Sequence, residues 1–241
     1  GTWNIPAVVG TDIRPPVALT AAELDMIKAN PNWLPGDIDD LANVKGDPPA
    51  VPGLKDAWVR ALADRAFSVA ANAARAVDPN HLNLGMRSGG RPTTAEIRAA
   101  RAFDVYSVNV YETEVPAERV REISALTGKP VLIGEFHFGT PGRGLAASLV
   151  QVRDHAERGR AYRYYVENAL AMPEMICTHW FQWADQPSTG RFDGENYNIG
   201  LVDVTDRPYP DLVAALVETH RRALRLHAGE IAPVRDRPRA R

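Results

Sequence analysis

The run Pro130-Val131-Leu132-Ile133-Gly134-Glu135 stays apolar until a carboxylate ends it. Continuous apolar character of this kind belongs to a strand buried on both faces, and the residue at its end stands on a rigid support. An oxygen nucleophile delivered there suits the cleavage of a glycosidic bond. That reaction needs two carboxyl groups around the scissile bond, about 5–5.5 Å apart when one attacks the anomeric carbon and the other protonates the leaving oxygen. Glu135 fits the attacking role. The structural alternative is a helix-cap partner or a solvated strand end.

Other segments end in similar fashion. Ala7 to Ile13 reads as a buried strand with Thr11-Asp12 at its end, His81 to Met86 as a strand leading to Arg87, and Asp104 to Tyr111 as a strand closing on Asn109-Val110-Tyr111-Glu112. The Glu135 strand continues to His137. Met175 to Ala184 reads as a last strand that finishes on Trp180-Phe181-Gln182-Trp183-Ala184-Asp185. Between these runs the apolar spacing turns helical. Helices are expected at 20 to 29, 54 to 77, 93 to 102 (Thr93 capping, Glu96 completing the box), 116 to 127, 145 to 172 and 210 to 226.

Strands alternating with helices of such length require right-handed crossovers and hence a parallel sheet covered by helices, which is the α/β class. In a closed parallel barrel of eight strands the active site lies where the strands end. The sequence supplies five strands, so the expected architecture is a partial (β/α) barrel, its last five units, strands 4 to 8. Residues 1–227 form this domain and 228–241, with no apolar stripe, a flexible C-terminal tail. A missing N-terminal segment and self-association are the two ways of completing the sheet. The loop at 30 to 53, rich in Pro, Gly, Asn and Asp, is too long for an idle connection.

Three stretches together resemble a family. Gly134-Glu135-Phe136-His137-Phe138-Gly139, His179-Trp180-Phe181-Gln182-Trp183-Ala184-Asp185-Gln186-Pro187 and Gly190-Arg191-Phe192-Asp193-Gly194-Glu195-Asn196-Tyr197-Asn198-Ile199-Gly200 are similar to the C-terminal half of retaining TIM-barrel glycoside hydrolases of the β-agarase and β-galactosidase-like groups. Asp78-Pro79-Asn80-His81-Leu82, Gly85-Met86-Arg87 and Ser107-Val108-Asn109-Val110-Tyr111 fit the family's fifth and sixth strands. The resemblance implies that Glu135 is the nucleophile and that Tyr111 hydrogen-bonds it. It also implies that Trp183, with Trp180 second, forms a sugar platform through the fit of a pyranose C–H face to an aromatic face. Asn109, Arg87, His137, Asp185 and Glu195 are expected around the substrate. The family carries an Asn-Glu pair on its fourth strand, where Thr11-Asp12 stands here. Asp12 thereby becomes the acid/base, one methylene shorter than Glu; a strand-end cap or turn residue is its structural alternative.

The composition removes several other classes. With 28 basic and 30 acidic side chains the net charge is −2, which gives no footprint for nucleic acid or an anionic membrane. No run approaches the ~20 apolar residues of a membrane span. The chain reads as soluble, with secreted, periplasmic and cytoplasmic settings all open. Cys177 is the single cysteine, which excludes a disulfide framework and any multi-cysteine metal site. The spacing of Asp193, Glu195 and Asn198 lacks the features of a dedicated calcium loop. Of the lysines only Lys129 borders a strand, at its entry end, so no Schiff-base aldolase is indicated. No cofactor and no metal is expected. The expected partner is a carbohydrate, a galactan of the agarose type among the candidates. The rival is a non-catalytic, vestigial carbohydrate-binding half-barrel.

Overall fold

The computed structural model of the chain describes residues 54–90 and 92–238. The strand and helix expected before residue 30, Thr11 and Asp12 with them, and the loop at 30 to 53 lie outside the described residues. The elements are α1 (Leu54–Val77), β1 (Arg87–Ser88), α2 (Thr94–Ala99) continued by a 3-10 turn (Ala100–Ala102), β2 (Tyr106–Asn109), α3 (Ala117–Thr127), β3 (Val131–Phe136), α4 (His155–Leu170), β4 (Met175–Trp180) and α5 (Pro210–His227). The strands form one sheet in the order β1-β2-β3-β4, each neighbouring pair parallel. Parallel neighbours need long crossovers, and α3 and α4 supply them on either side of β3. The class is α/β with a parallel sheet, as the strand and helix rhythm requires.

Local chemistry sets the boundaries. Thr93 Oγ1 accepts the Glu96 N–H at 3.2 Å while the Glu96 carboxylate takes the Thr93 N–H at 2.6 Å, the capping box expected before α2. Gly128 closes α3 in the left-handed conformation, φ 66°, with its N–H on the Ser124 carbonyl.

The last strand ends at Trp180 and not at Ala184, and two other expected elements differ further. The helix read from 145 begins only at His155, because Asp154 adopts an extended backbone and caps it by accepting the Glu157 N–H at 2.8 Å. The preceding residues instead lie against the end of β3. Gly139 donates to the Val150 carbonyl at 2.9 Å, and Val152 donates to that of Gly139 at 2.9 Å. Apolar Leu145, Val150 and Val152 imitate a helical stripe while packing as a loop. The strand expected at 81 to 86 is displaced to Arg87–Ser88. Gly85 sits at φ 80° with the Val105 carbonyl where a Cβ would point, and Asn83 bonds Asp104 through both N–H and carbonyl, so this stretch is tied down outside the ladder. Arg87 therefore starts the strand that it was expected to follow.

β3 is buried on both faces through Val131, Leu132, Ile133 and Phe136. Phe136 stacks on Tyr165 of α4 at 4.6 Å and meets the Trp180 edge at 5.3 Å. α4 and α5 approach closely at Gly159, where a Cβ would stand 2.9 Å from the Asp211 carbonyl. Beyond α5 the chain returns across α4. Val234 donates to the buried Glu167 carboxylate at 3.1 Å, and Asn168 donates back to the Val234 carbonyl at 3.0 Å. Among the described residues no helix is long and apolar enough to cross a membrane, and no group of three or more His, Cys, Asp and Glu is placed to hold a metal.

Candidate active site

Glu135 is the penultimate residue of β3, and an irregular register places Asn109 of β2 opposite it. Tyr111, two residues past β2, donates its hydroxyl to Glu135 Oε2 at 2.6 Å. Arg87 Nη1 reaches across from β1 and donates to Oε1 at 2.9 Å. One donor on each oxygen fixes the plane of the carboxyl group. The arginine can make this reach because residue 134 is glycine: a Cβ there would lie 2.9 Å from Arg87 Nε and 2.8 Å from Ser107 Oγ. Burial, and next the bond to Glu135, push the Tyr111 hydroxyl far above its ordinary value, so it remains a donor across neutral and alkaline pH.

His137 follows on the same strand and is almost fully buried, 2% exposed. Its Nδ1 faces the Phe181 carbonyl at 3.1 Å, so Nδ1 carries the proton and Nε2 is a bare acceptor. Its ring lies 4.7 Å from that of Tyr111. Among the described residues, His137 Nε2 and Asn109 Oδ1 are both buried without a hydrogen-bond partner, two unpaired acceptors near the candidate nucleophile.

Burial pushes the His137 imidazole down to about 4 from an ordinary 6.5. Between those values the unfolded chain binds a proton that the folded one refuses. The stability due to the neutral ring is therefore lost as pH falls from 6.5 toward 4, a contribution of up to about 3 kcal/mol. In an NMR titration the His137 ring protons are expected to hold their neutral shifts down to pH 5; a midpoint near 6.5 overturns the assignment.

The remaining expected residues separate. The Trp180 ring packs into the core against Phe136, Tyr162 at 5.7 Å and Phe138 at 6.4 Å, and its N–H bonds the Ile199 carbonyl at 2.9 Å. It is partly buried, with one side against the core. Trp183 is 65% exposed on the loop after β4. Asp185 is buried and folds that loop, accepting from Gly200 N–H at 2.7 Å, Tyr209 hydroxyl at 2.5 Å and Asn198 amide at 2.9 Å. Glu195 accepts from the buried Gln186 side chain at 2.8 Å and lies 3.5 Å from Arg191. The structure thus gathers Glu135, Tyr111, Arg87, Asn109 and His137, while Trp180 packs partly against the core and Asp185 is held inside the loop after β4. Asp12 lies outside the described residues. Sequence reasoning passed over Gly134, whose only signal was a glycine inside a buried strand next to a carboxylate.

No family model matches the chain. It is 39% identical over 158 residues to β-agarase B of Vibrio sp. (strain JT0107), covering 64% of this chain and 16% of that protein. β-Agarase A of the same strain is 39% identical over 152 residues, 59% of this chain and 15% of its own length. The solved structure of an exo-β-agarase superposes with a TM-score of 0.68 at 36% identity, over 75% of this chain and 26% of that one. A second agarase, AgWH50C, gives 0.66 at 33% identity, over 79% and 28%. A β-D-glucuronidase of Dictyoglomus thermophilum, at 16% identity and a TM-score of 0.51 over 66% and 29%, shares the fold alone. The chain spans 16% of β-agarase B and 26% of the exo-β-agarase. The resemblance read from the Glu135, Trp180 and Asn198 stretches is thus met by β-agarases, over a segment of their length.

Proposed function

We propose that this relative of a β-agarase segment carries the nucleophile half of a retaining glycoside hydrolase site, on strands that correspond to the last five of a (β/α) barrel. The observation that carries the reading is the Glu135 carboxyl group at the end of β3 with Tyr111 on one oxygen and Arg87 on the other. The substrate class is a β-linked galactan, in line with the names of the relatives. In the first step Glu135 attacks the anomeric carbon, the glycosidic bond breaks, and an acid protonates the departing oxygen. In the second, water attacks the glycosyl ester and the same group, now a base, takes its proton. Asp12 is the proposed acid/base. Asn109 and His137 line the back of the carboxylate, and Trp183 and Glu195 border the sugar.

A second reading, a carbohydrate-binding half-barrel without turnover, is favoured by one observation. Leu82, Leu84 and Met86, at alternate positions before β1, are 68%, 43% and 40% exposed, an apolar rim such as a further barrel segment or a second copy would cover. Incubation with a 2,4-dinitrophenyl 2-deoxy-2-fluoro-β-galactoside separates the two readings. Its leaving group departs without a proton, so the outcome is independent of Asp12. A burst of one equivalent of dinitrophenolate is expected, with the fluorosugar on the Glu135 peptide by mass spectrometry. Neither burst nor adduct leaves the binding reading.

A further inference from the structure

We infer that Phe181, Arg191 and Phe192 form an outer binding surface for the neutral sugar units of a chain whose cleaved end sits at Glu135. The inference rests on the reading of Glu135 as a glycosidase carboxylate. The buried His137 ring backs both the Tyr111 ring beside that carboxylate and Phe181, which places Phe181 near it. The Tyr111 ring, bonded to Glu135, lies 4.7 Å from His137, and His137 lies 6.2 Å from Phe181. The Arg191 guanidinium then sits 5.7 Å from the Phe181 centroid and 5.6 Å from that of Phe192. Steps of this size are on the scale of one pyranose ring. The row ends on Phe192, which is 97% exposed.

A single exposed apolar side chain is ordinary on a protein surface. This one stands at the end of a built support. Arg191 spends its charge inside its own turn, on Asp193 at 2.7 Å and Glu195 at 3.5 Å. Glu195 is held by Gln186, which is fully buried and whose carbonyl also takes the Tyr197 N–H at 2.7 Å. The turn is closed by Arg191 N–H on the Glu195 carbonyl at 2.8 Å and Gly194 N–H on that of Arg191 at 2.9 Å. Gly194 takes φ 87° within it. Held at its edges, the guanidinium sits over the two rings, within range of cation–π attraction to each. Such faces match the C–H face of a pyranose. With two carboxylates against one guanidinium the loop offers no positive charge for an anionic polysaccharide. Nearness to the Glu135 carboxylate, with Phe181 one buried ring away from Tyr111, selects an extended β-linked oligosaccharide as the occupant.

Calorimetric titration of Glu135→Gln, which prevents turnover, with agarose-derived disaccharide and hexasaccharide tests the surface. The hexasaccharide is expected to bind roughly tenfold tighter than the disaccharide, and adding Phe192→Ala or Arg191→Lys to remove most of that advantage. Phe192 is solvent-exposed, so its loss leaves the fold intact. An advantage unchanged by Phe192→Ala, or absent before it, overturns the outer surface. If neither sugar binds yet the fluorosugar still labels Glu135, the surface falls and the hydrolase reading stands. If binding and labelling both fail, both readings fall.

Discussion

Glu135→Gln is expected to lower hydrolysis of β-linked galactan oligosaccharides by on the order of 10⁴-fold or more, about 5 kcal/mol of transition-state stabilisation. The amide has the volume of the acid but supplies no carboxylate to form the glycosyl ester. The fold should be indifferent. Glu135 is partly exposed, and its Arg87 partner, 47% exposed at the side chain, can turn to solvent when the amide NH₂ replaces an oxygen. A melting temperature within ~2 °C of the parent is therefore expected. Glu135→Ala separates a nucleophile from a residue that only shapes the site. With an activated β-galactoside, azide should enter the vacated space, attack the anomeric carbon from the opposite face and expel the phenolate, giving the α-glycosyl azide. Near-normal hydrolysis by Glu135→Gln, or a β-azide from Glu135→Ala, removes the nucleophile assignment.

The strand-end carboxylate was legible because a buried parallel strand leaves a run of apolar residues that little else imitates, whereas the strand before Tyr111 has a mixed pattern and its bond to Glu135 was legible only through the family resemblance. Caps were equally readable: Thr93 and Glu96 state the start of α2 in four residues. What failed was periodicity alone. Leu145 to Val152 carries helical spacing but folds as a loop, because Gly139 lets that loop lie directly on its backbone; a Cβ there would fall 1.7 Å from the Ala147 carbonyl. Side-chain direction was also beyond the sequence. Trp180 and Trp183 look alike as strand-end tryptophans, yet the first turns into the core and the second to solvent. Asp185 resembled a sugar ligand, since nothing in the sequence shows that Gly200, Asn198 and Tyr209 return to it. The grouping of Phe181, Arg191 and Phe192 is of the same kind, being made by a turn that begins eleven residues after the strand ends.

Arg158→Met should produce a large loss of stability. Arg158 is fully buried on α4, and burial pushes its guanidinium down to about 10, still protonated at neutral pH. Among the described residues it makes no direct ion pair; nearby dipoles meet its charge, with the Asp185 carboxylate contributing at longer range. Nε donates to the Phe138 carbonyl at 3.0 Å, Nη2 to that of Gly200 at 2.7 Å, and Nη1 faces Asn198 Oδ1 at 3.5 Å and His155 Nδ1 at 3.2 Å. The guanidinium also lies 5.1 Å from the Tyr209 ring and 5.9 Å from that of Trp180. One side chain thereby joins the end of β3, the turn beyond Asn198 and the start of α4, the three pieces that hold the Glu135 strand against the loop of Arg191. Met fills comparable volume but offers no donor, leaving two buried carbonyls without a partner, each worth about 1–3 kcal/mol. Their sum is roughly 3–5 kcal/mol, and at 2–4 °C per kcal/mol for a chain of this length the melting temperature should fall by about 10 °C. Lys, which keeps the charge but cannot reach three acceptors in one plane, should recover less than half of the loss. A decrease below ~3 °C for Arg158→Met would show that water or a shifted backbone satisfies those carbonyls, and that the loop bearing the sugar surface is anchored elsewhere.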